Sequence, residues 1–551
     1  MFLRLFNSQA KTVTFAAILL AGSALVSRLL GLIRDRLLAG TFGAGENLDI
    51  YFAAFRIPDF VYGILIMGGV AAVFLPVFSD YFRKSQEDAW RFVNNLLNCF
   101  LILLIFICGI LTLFAPLLVD LIVPGFSAES KKLTVALTRL MFISPIFFGI
   151  SSIFSGVLHY FNRFFAYSIA PVLYNLGIIF GILFFVPRFG LYGLAFGVIL
   201  GAFLHWLIQL PAAKNSGYKY LPLFNFKNFG LTRVFKLMVP RIVGSAGYHI
   251  NLIVITAIAS TLAAGSIAIF NLANNLQYFP IGLVGVSFSL AAFPLLAKNW
   301  AFGEKEEFLK NFSLTFRQIL FLIIPISFLI FILRAQIVRI VLGTGEFGWW
   351  ETRLTAACLG VFCLGIFANS FIPFLARVFY SFQDTKTPVA ISLLTMALNV
   401  SLCFFFVFLL SFPNFFQQAT ISLLKLEGIK NVGIIALPLA LAVSSTFQFF
   451  LLLIFLKKKI NRLEGREILF SLQKILMATF FMVVSAYLSL FLAADFLDTK
   501  TFFGILIQTI IAFLAASFVY VLVSVFLKSS EAKIIWSSFL YAPLALFKKK
   551  K

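Results

Sequence analysis

Charge is scarce in this chain of 551 residues: only 12% are Asp, Glu, Lys or Arg, and acids number 21 against 44 basic residues. A soluble domain carries about twice that charged fraction, so an ordinary water-exposed fold is excluded. Histidine occurs only at His159, His205 and His249, each isolated from the others in sequence. The five cysteines, Cys99, Cys108, Cys358, Cys363 and Cys403, lie in apolar stretches without metal-ligand or disulfide-framework spacing. No metal or cofactor is expected, and the thiols read as packing residues. The acids assigned to outer loops, Glu46, Asp49, Glu129, Glu346, Glu351 and Glu427, show no spacing that would pair two carboxylates on a headgroup. A membrane-embedded transferase is therefore a weak reading.

What fills the chain is apolar: 61% hydrophobic residues, 73 of them phenylalanine, with a mean hydropathy of +1.02. The weak alternation of outer-membrane barrel strands is missing, so the sequence reads as an all-α polytopic membrane protein. At ~20 residues per crossing it yields about fourteen transmembrane helices joined by short loops. Lys11 precedes an apolar run in the manner of a signal peptide, but Arg28 interrupts that run and further spans follow. The segment reads as a retained first helix.

Basic residues set the expected orientation. Arg83, Lys84 and Arg91, the segment Lys214 to Lys236, Lys457 to Lys459 and the tail from Lys548 all fall on one side if both termini are cytoplasmic. Much of the formal charge of +23 is thus topology signal and attraction to anionic membrane lipids, with no call for nucleic acid.

Arg28, Arg34, Arg36, Arg56, Arg139, Arg241 and Arg377 remain inside spans, with Asp35 and Asp59 as the clear intramembrane acids. A charge near the bilayer centre costs at least ~3 kcal/mol, so it faces a protein interior or a watery cavity. At ~100° per residue Arg28 and Asp35 share a helix face, and Arg34 stands about 120° from Arg28. An arginine fork suits phosphate or carboxylate and cannot escape by losing its proton. The expected cargo is an anion. The competing readings are internal pairing of Arg28 and Arg34 with Asp35, snorkelling for Arg36, a structural role for Arg139 and topology signal for Arg377.

The chain also repeats itself. FGAGENLDIYFAAF at 42–55 resembles LAAGSIAIFNLANN at 262–275, AVFLPVFSDY at 72–81 resembles AAFPLLAKNW at 291–300, and Tyr160 matches Tyr380. The run from Gly193 resembles that from Gly433 at a larger separation, which an insertion at 412–430 absorbs. Two six-helix lobes of like orientation, related by an axis along the membrane normal, plus two C-terminal helices are implied. The expected boundaries are 1–213 for the first lobe, 214–235 for a cytoplasmic linker, 236–456 for the second lobe, and 457–551 for the last two helices and a basic tail. The ligand site is expected between the lobes. The insertion reads either as an interfacial amphipathic piece or as disorder.

SRLLGLIRD at 27–35, FGAG at 42–45 with Asp49, FRIP at 55–58, VPGF at 123–126, FNRF at 161–164 and FYSFQDTKTP at 379–388 together resemble the MurJ (MviN) lipid II flippases of the multidrug/oligosaccharidyl-lipid/polysaccharide exporter superfamily. The resemblance spans nearly the whole chain. It implies a bacterial inner-membrane transporter, not an enzyme. Its cargo would be the undecaprenyl-diphosphate-linked peptidoglycan precursor, moved from the inner to the outer leaflet by alternating access, with the peptidoglycan synthesis machinery as a further partner. It also implies substrate-binding roles for Arg28, Arg34, Asp35, Asp49 and Arg56, and a groove for the polyprenyl tail on the last two helices. Tyr62 and Asn275 stand where relatives often carry arginine, and Arg241 is the candidate that restores the missing charge. Carriers of other polyprenyl-diphosphate saccharides stay open as an alternative. A multidrug or cation antiporter is weaker for want of intramembrane acids, and spans seven, eleven and twelve hold no aspartate or glutamate for an ion site.

Overall fold

The computed structural model describes residues 13–429, 431–460 and 464–534; Lys11 and the basic tail from Lys548 lie outside them. No strand occurs among the described residues. Helices α1 (Val13–Phe42), α2 (Glu46–Lys84), α3 (Gln86–Leu113), α4 (Ala128–Tyr160), α5 (Phe164–Phe189), α6 (Tyr192–Lys214) and α7 (Phe229–Ser260) come first. They are followed by α8 (Ser266–Ala301), α9 (Lys305–Val341), α10 (Trp349–Ser381), α11 (Lys386–Leu410), α12 (Gly433–Ile460), α13 (Gly465–Ala494) and α14 (Phe502–Phe526). Twelve of these are long and apolar enough to cross a membrane by length and composition, and α1 and α7 are of comparable length.

Polar residues stand where chain direction must change. The Ser85 hydroxyl accepts from the Asp88 amide at the start of α3, Asn228 caps α7 through the Leu231 amide, and Thr501 caps α14 through that of Gly504. Each satisfies an amide that would otherwise lack a partner at a helix start. Gly43, at φ +62°, closes α1 with its N–H donating a hydrogen bond to the Ala39 carbonyl, a left-handed position that suits glycine.

The internal repeat is written into the backbone. After α4, Asn162 sits at φ +55°, its amide donating to the His159 carbonyl and that of Arg163 to the Leu158 carbonyl. After α10, Gln383 sits at φ +61° with the same two bonds, to Tyr380 and, from Asp384, to Phe379. Helix α2 loosens into π-helical turns over Tyr62–Val70 beyond Pro58, and α8 does so over Ile281–Val286 beyond Pro280. A proline removes one ladder bond, and the wider turn absorbs the mismatch.

Contacts group the chain into two compact units, residues 1–268 with 344–347, and residues 269–343 with 348–551. In the first, α7 packs along the π-helical part of α2, and α5 packs on both α1 and α6. Close approach of α5 and α6 is a glycine effect: a Cβ on Gly181 would meet the Gly197 Cα, and the reverse also holds. The second unit is built round Phe308, Phe312, Phe371, Phe374 and Phe379, all nearly fully buried. Helices α13 and α14 belong to that unit, and the Tyr520 hydroxyl donates to the Phe321 carbonyl of α9 at 2.7 Å. The 412–430 insertion contains a short helix, Phe415–Leu424, capped by Asn414.

Candidate functional site

The charged stretch of α1 is held by a neighbouring helix. Arg34 bonds Asp35 Oδ1 through Nε at 3.0 Å and through a terminal nitrogen at 2.8 Å, and its other terminal nitrogen reaches Asn175 Oδ1 of α5 at 3.2 Å. Asn175 in turn donates to the Ser27 carbonyl and hydroxyl, both at 3.2 Å, so one amide fixes α1 at two levels. The internal pairing with Asp35 is thus present for Arg34. It does not exhaust the fork: a guanidinium has five N–H groups, and these contacts use three. The Arg34 side chain keeps 22% exposure while Asp35 keeps 4%.

Arg56 on α2 is buried, and its Nε donates to Thr256 Oγ1 of α7 at 2.7 Å. A cation is thereby joined to a neutral hydroxyl, which itself donates to the Leu252 carbonyl. Arg28 and Arg36 are half-buried on α1. Arg241 is exposed on α7, fifteen residues before Thr256 and hence about 22 Å along a straight helix. The structure brings Arg34 and Asp35 together and leaves Arg241 at a different level from the Arg56 head. Asn275 is half-buried on α8 in the second unit, beside the Asn274–Gln277 hydrogen bond. Arg377 of that unit donates to Ser289 at 2.6 Å, and Arg139 of the first unit donates to the Thr112 carbonyl at 3.1 Å.

Asp49 has a defined structural task. Its two oxygens accept from the Gly265 and Ala268 amides, each at 2.7 Å, capping the N-terminal turn of α8. An ionised carboxylate there also meets the positive end of the helix dipole. Gly265, at φ +87°, lies so close to the FGAG loop that a side chain would run into the Ala44 carbonyl oxygen. Glu46, one turn earlier, accepts from the Ser130 hydroxyl of α4.

Tyr62 contributes to a cavity of about 490 Å³ lined by α1, α2, α4, α5 and α6. Ser152, Ser155, His159 and His205 give it a polar wall, and the Tyr62 ring lies 4.8 Å from that of Phe148. The adjoining Gly63 leaves the volume that the His249 imidazole occupies. Sequence reasoning missed Asn175 and Thr256, polar residues within apolar stretches whose partners lie far away in the chain.

The family profile described as "Lipid II flippase MurJ" matches residues 38–508. A probable lipid II flippase MurJ of Buchnera aphidicola subsp. Acyrthosiphon pisum is 32% identical over 474 residues, covering 85% of this chain and 88% of that protein. The lipid II flippase MurJ of Burkholderia cenocepacia is 28% identical over 387 residues, covering 69% and 75%. Among solved structures, a lipid II flippase MurJ in an inward closed conformation superposes with a TM-score of 0.73 at 25% identity, over 96% of this chain and 100% of that one. An inward-facing multidrug transporter of the MATE family shares the fold alone, with a TM-score of 0.63 at 13% identity over 81% of this chain and 98% of that one.

Proposed function

The chain belongs to the lipid II flippase MurJ family, and on that premise we propose how its residues handle the cargo. It is a multi-pass membrane transporter that carries lipid II from the inner to the outer leaflet for peptidoglycan synthesis, by alternating access of a cationic cavity. In our reading the diphosphate is gripped by Arg34, with Arg28 and Arg56 supplying further positive charge. The observation that carries this is the Arg34 fork, oriented by Asp35 and Asn175 with two N–H groups left over. A guanidinium oriented in advance loses little freedom when it closes on a phosphate, and bidentate geometry favours phosphate over a simple halide.

Asp35 orients the fork, and Asp49 sets the entry of α8. Arg241 is assigned to an outlying part of the long headgroup. Both termini face the cytoplasm in this reading, where the lysine-rich segments meet anionic lipid. The peptidoglycan synthesis machinery receives the exported precursor.

Depletion of the protein in its host, in a background without a second exporter, tests the assignment. Precursor should accumulate inside and disappear from the outer face, and Arg34→Ala should fail to restore it. Unchanged outer-face exposure after depletion would overturn the function; full rescue by Arg34→Ala would overturn the role of the fork.

A further inference from the structure

A second cavity of the first unit, about 670 Å³, opens between α3, α4, α6 and the segment that follows α6. It lies on the other side of α4 from the Tyr62 cavity: Ile150 and Phe154 face this one, whereas Phe148, Ser152 and Ser155 face the first. At ~100° per residue those two sets point in different directions. Its polar lining is cationic and donor-rich: the Asn98 amide nitrogen is spent on the Leu221 and Leu223 carbonyls, and the other polar residues are Trp206, Lys214, Tyr218, Lys219 and Tyr220. The Trp206 indole Nε1 and the Tyr218 hydroxyl are buried and have no hydrogen-bond partner among the described residues, and Lys214 and Lys219 stand at the rim. Neither lysine forms an ion pair among the described residues, and no carboxylate lines the cavity. Tyr218 is 5% exposed, clasped edge-on by Phe154 and Trp90, so its orphaned hydroxyl is costly unless something accepts from it.

The rim is rigid. Asn94, Asn95 and Asn98, buried on α3, tie down the passing backbone: Asn94 bonds the Lys219 carbonyl and the Leu221 amide, Asn98 the Leu221 and Leu223 carbonyls, and Asn95 both backbone groups of Asn225. From the other side Arg163 holds the Ala212 and Asn215 carbonyls at 3.2 and 3.0 Å. The residues after α6 therefore form a fixed frame for Lys214, Tyr218 and Lys219, where sequence suggests only a linker.

We propose that this cavity binds the headgroup of an anionic glycerophospholipid of the surrounding leaflet, a site separate from the one that grips the cargo. An indole N–H, a phenol O–H and two ammonium groups are all donors, so the complementary ligand is an acceptor-rich anion such as a phosphodiester. The leucine, isoleucine and phenylalanine walls accept the glycerol and first acyl carbons. Lysine and aromatic residues at a helix end belong at the headgroup level of a bilayer.

The test uses the full chain purified in detergent and measures lipid binding by native mass spectrometry and by the rise in melting temperature. The probes are dioleoylphosphatidylglycerol, dioleoylphosphatidylcholine and undecaprenyl phosphate. Phosphatidylglycerol should bind and stabilise; the Lys214→Gln/Lys219→Gln variant should lose at least fivefold in affinity. Tyr218→Phe, which keeps the ring packing, and Trp206→Phe, which removes the N–H and part of the indole, should each lose two- to tenfold, with lipid-free melting of every variant as the folding control. Equal binding of phosphatidylcholine, undiminished binding by the double lysine variant, or preferential capture of undecaprenyl phosphate at this site would overturn the proposal. Precursor export by Arg34→Ala is read separately, so failure of either reading leaves the other standing.

Discussion

Arg56 Nε lies 2.7 Å from Thr256 Oγ1, a bond that reaches across 200 residues of sequence to join α2 to α7. Thr256→Val keeps the volume and removes the acceptor, so a buried guanidinium N–H loses its partner at a cost of about 1–3 kcal/mol. The variant should melt earlier in detergent and export precursor more slowly, while Thr256→Ser stays near the parent in both. Unchanged melting and export in Thr256→Val would show that the bond matters to neither.

Asp49 and the α8 N-terminus form the second test. Asp49→Ala removes both carboxylate bonds to the Gly265 and Ala268 amides and should destabilise the chain by about 1–2 kcal/mol, as loss of a helix cap does. Asp49→Asn keeps one acceptor and should retain most of the stability and most of the export. Loss of export in Asp49→Asn with unchanged melting would instead give the charge itself a part in transport.

The charged run of α1 was legible because composition makes it an anomaly: three arginines within nine residues of an apolar span need an explanation, whatever the fold. The spans and the repeat were legible for a similar reason, since apolar length and recurring loop motifs are local properties. Asn175 and Thr256 were not, because one amide or hydroxyl in a membrane helix is ordinary, and their meaning lies in contacts 141 and 200 residues away. The segment after α6 was misleading in the opposite sense. It reads as a cytoplasmic linker, yet asparagines on α3 hold it through its backbone, which leaves no pattern in its own side chains.

Asn175 offers a test of the fork's orientation. Asn175→Leu deletes the bond to Arg34 and both bonds to Ser27, so α1 keeps its packing on α5 but loses these polar ties, and of the two side chains that orient Arg34 only Asp35 remains. Export should fall by more than the stability loss of about 1–3 kcal/mol explains, because the guanidinium is no longer preset. Asn175→Asp should also impair export, since a second carboxylate beside Arg34 competes with the cargo phosphate. Export at the parental rate by both variants would sink the orienting role.

Asp384, in the FYSFQDTKTP motif, predicts a pH dependence outside the transport path. Burial pushes its carboxyl up, but Lys459 Nζ at 2.7 Å and the Thr387 amide and hydroxyl at 3.0 and 2.9 Å outweigh it and hold the group down at about 2. In the unfolded chain it protonates near 3.8. Its stabilisation is therefore fully present above the unfolded value and fades as pH falls from about 4 to 2. With Lys459 a third exposed, the contribution is of order 1 kcal/mol. Asp384→Asn should lower the melting temperature at pH 7 and pH 5 by the same amount, and the gap to the parent should narrow below pH 4 and close towards pH 2. A gap that persists unchanged at pH 2.5 would mean that shape rather than charge holds this turn.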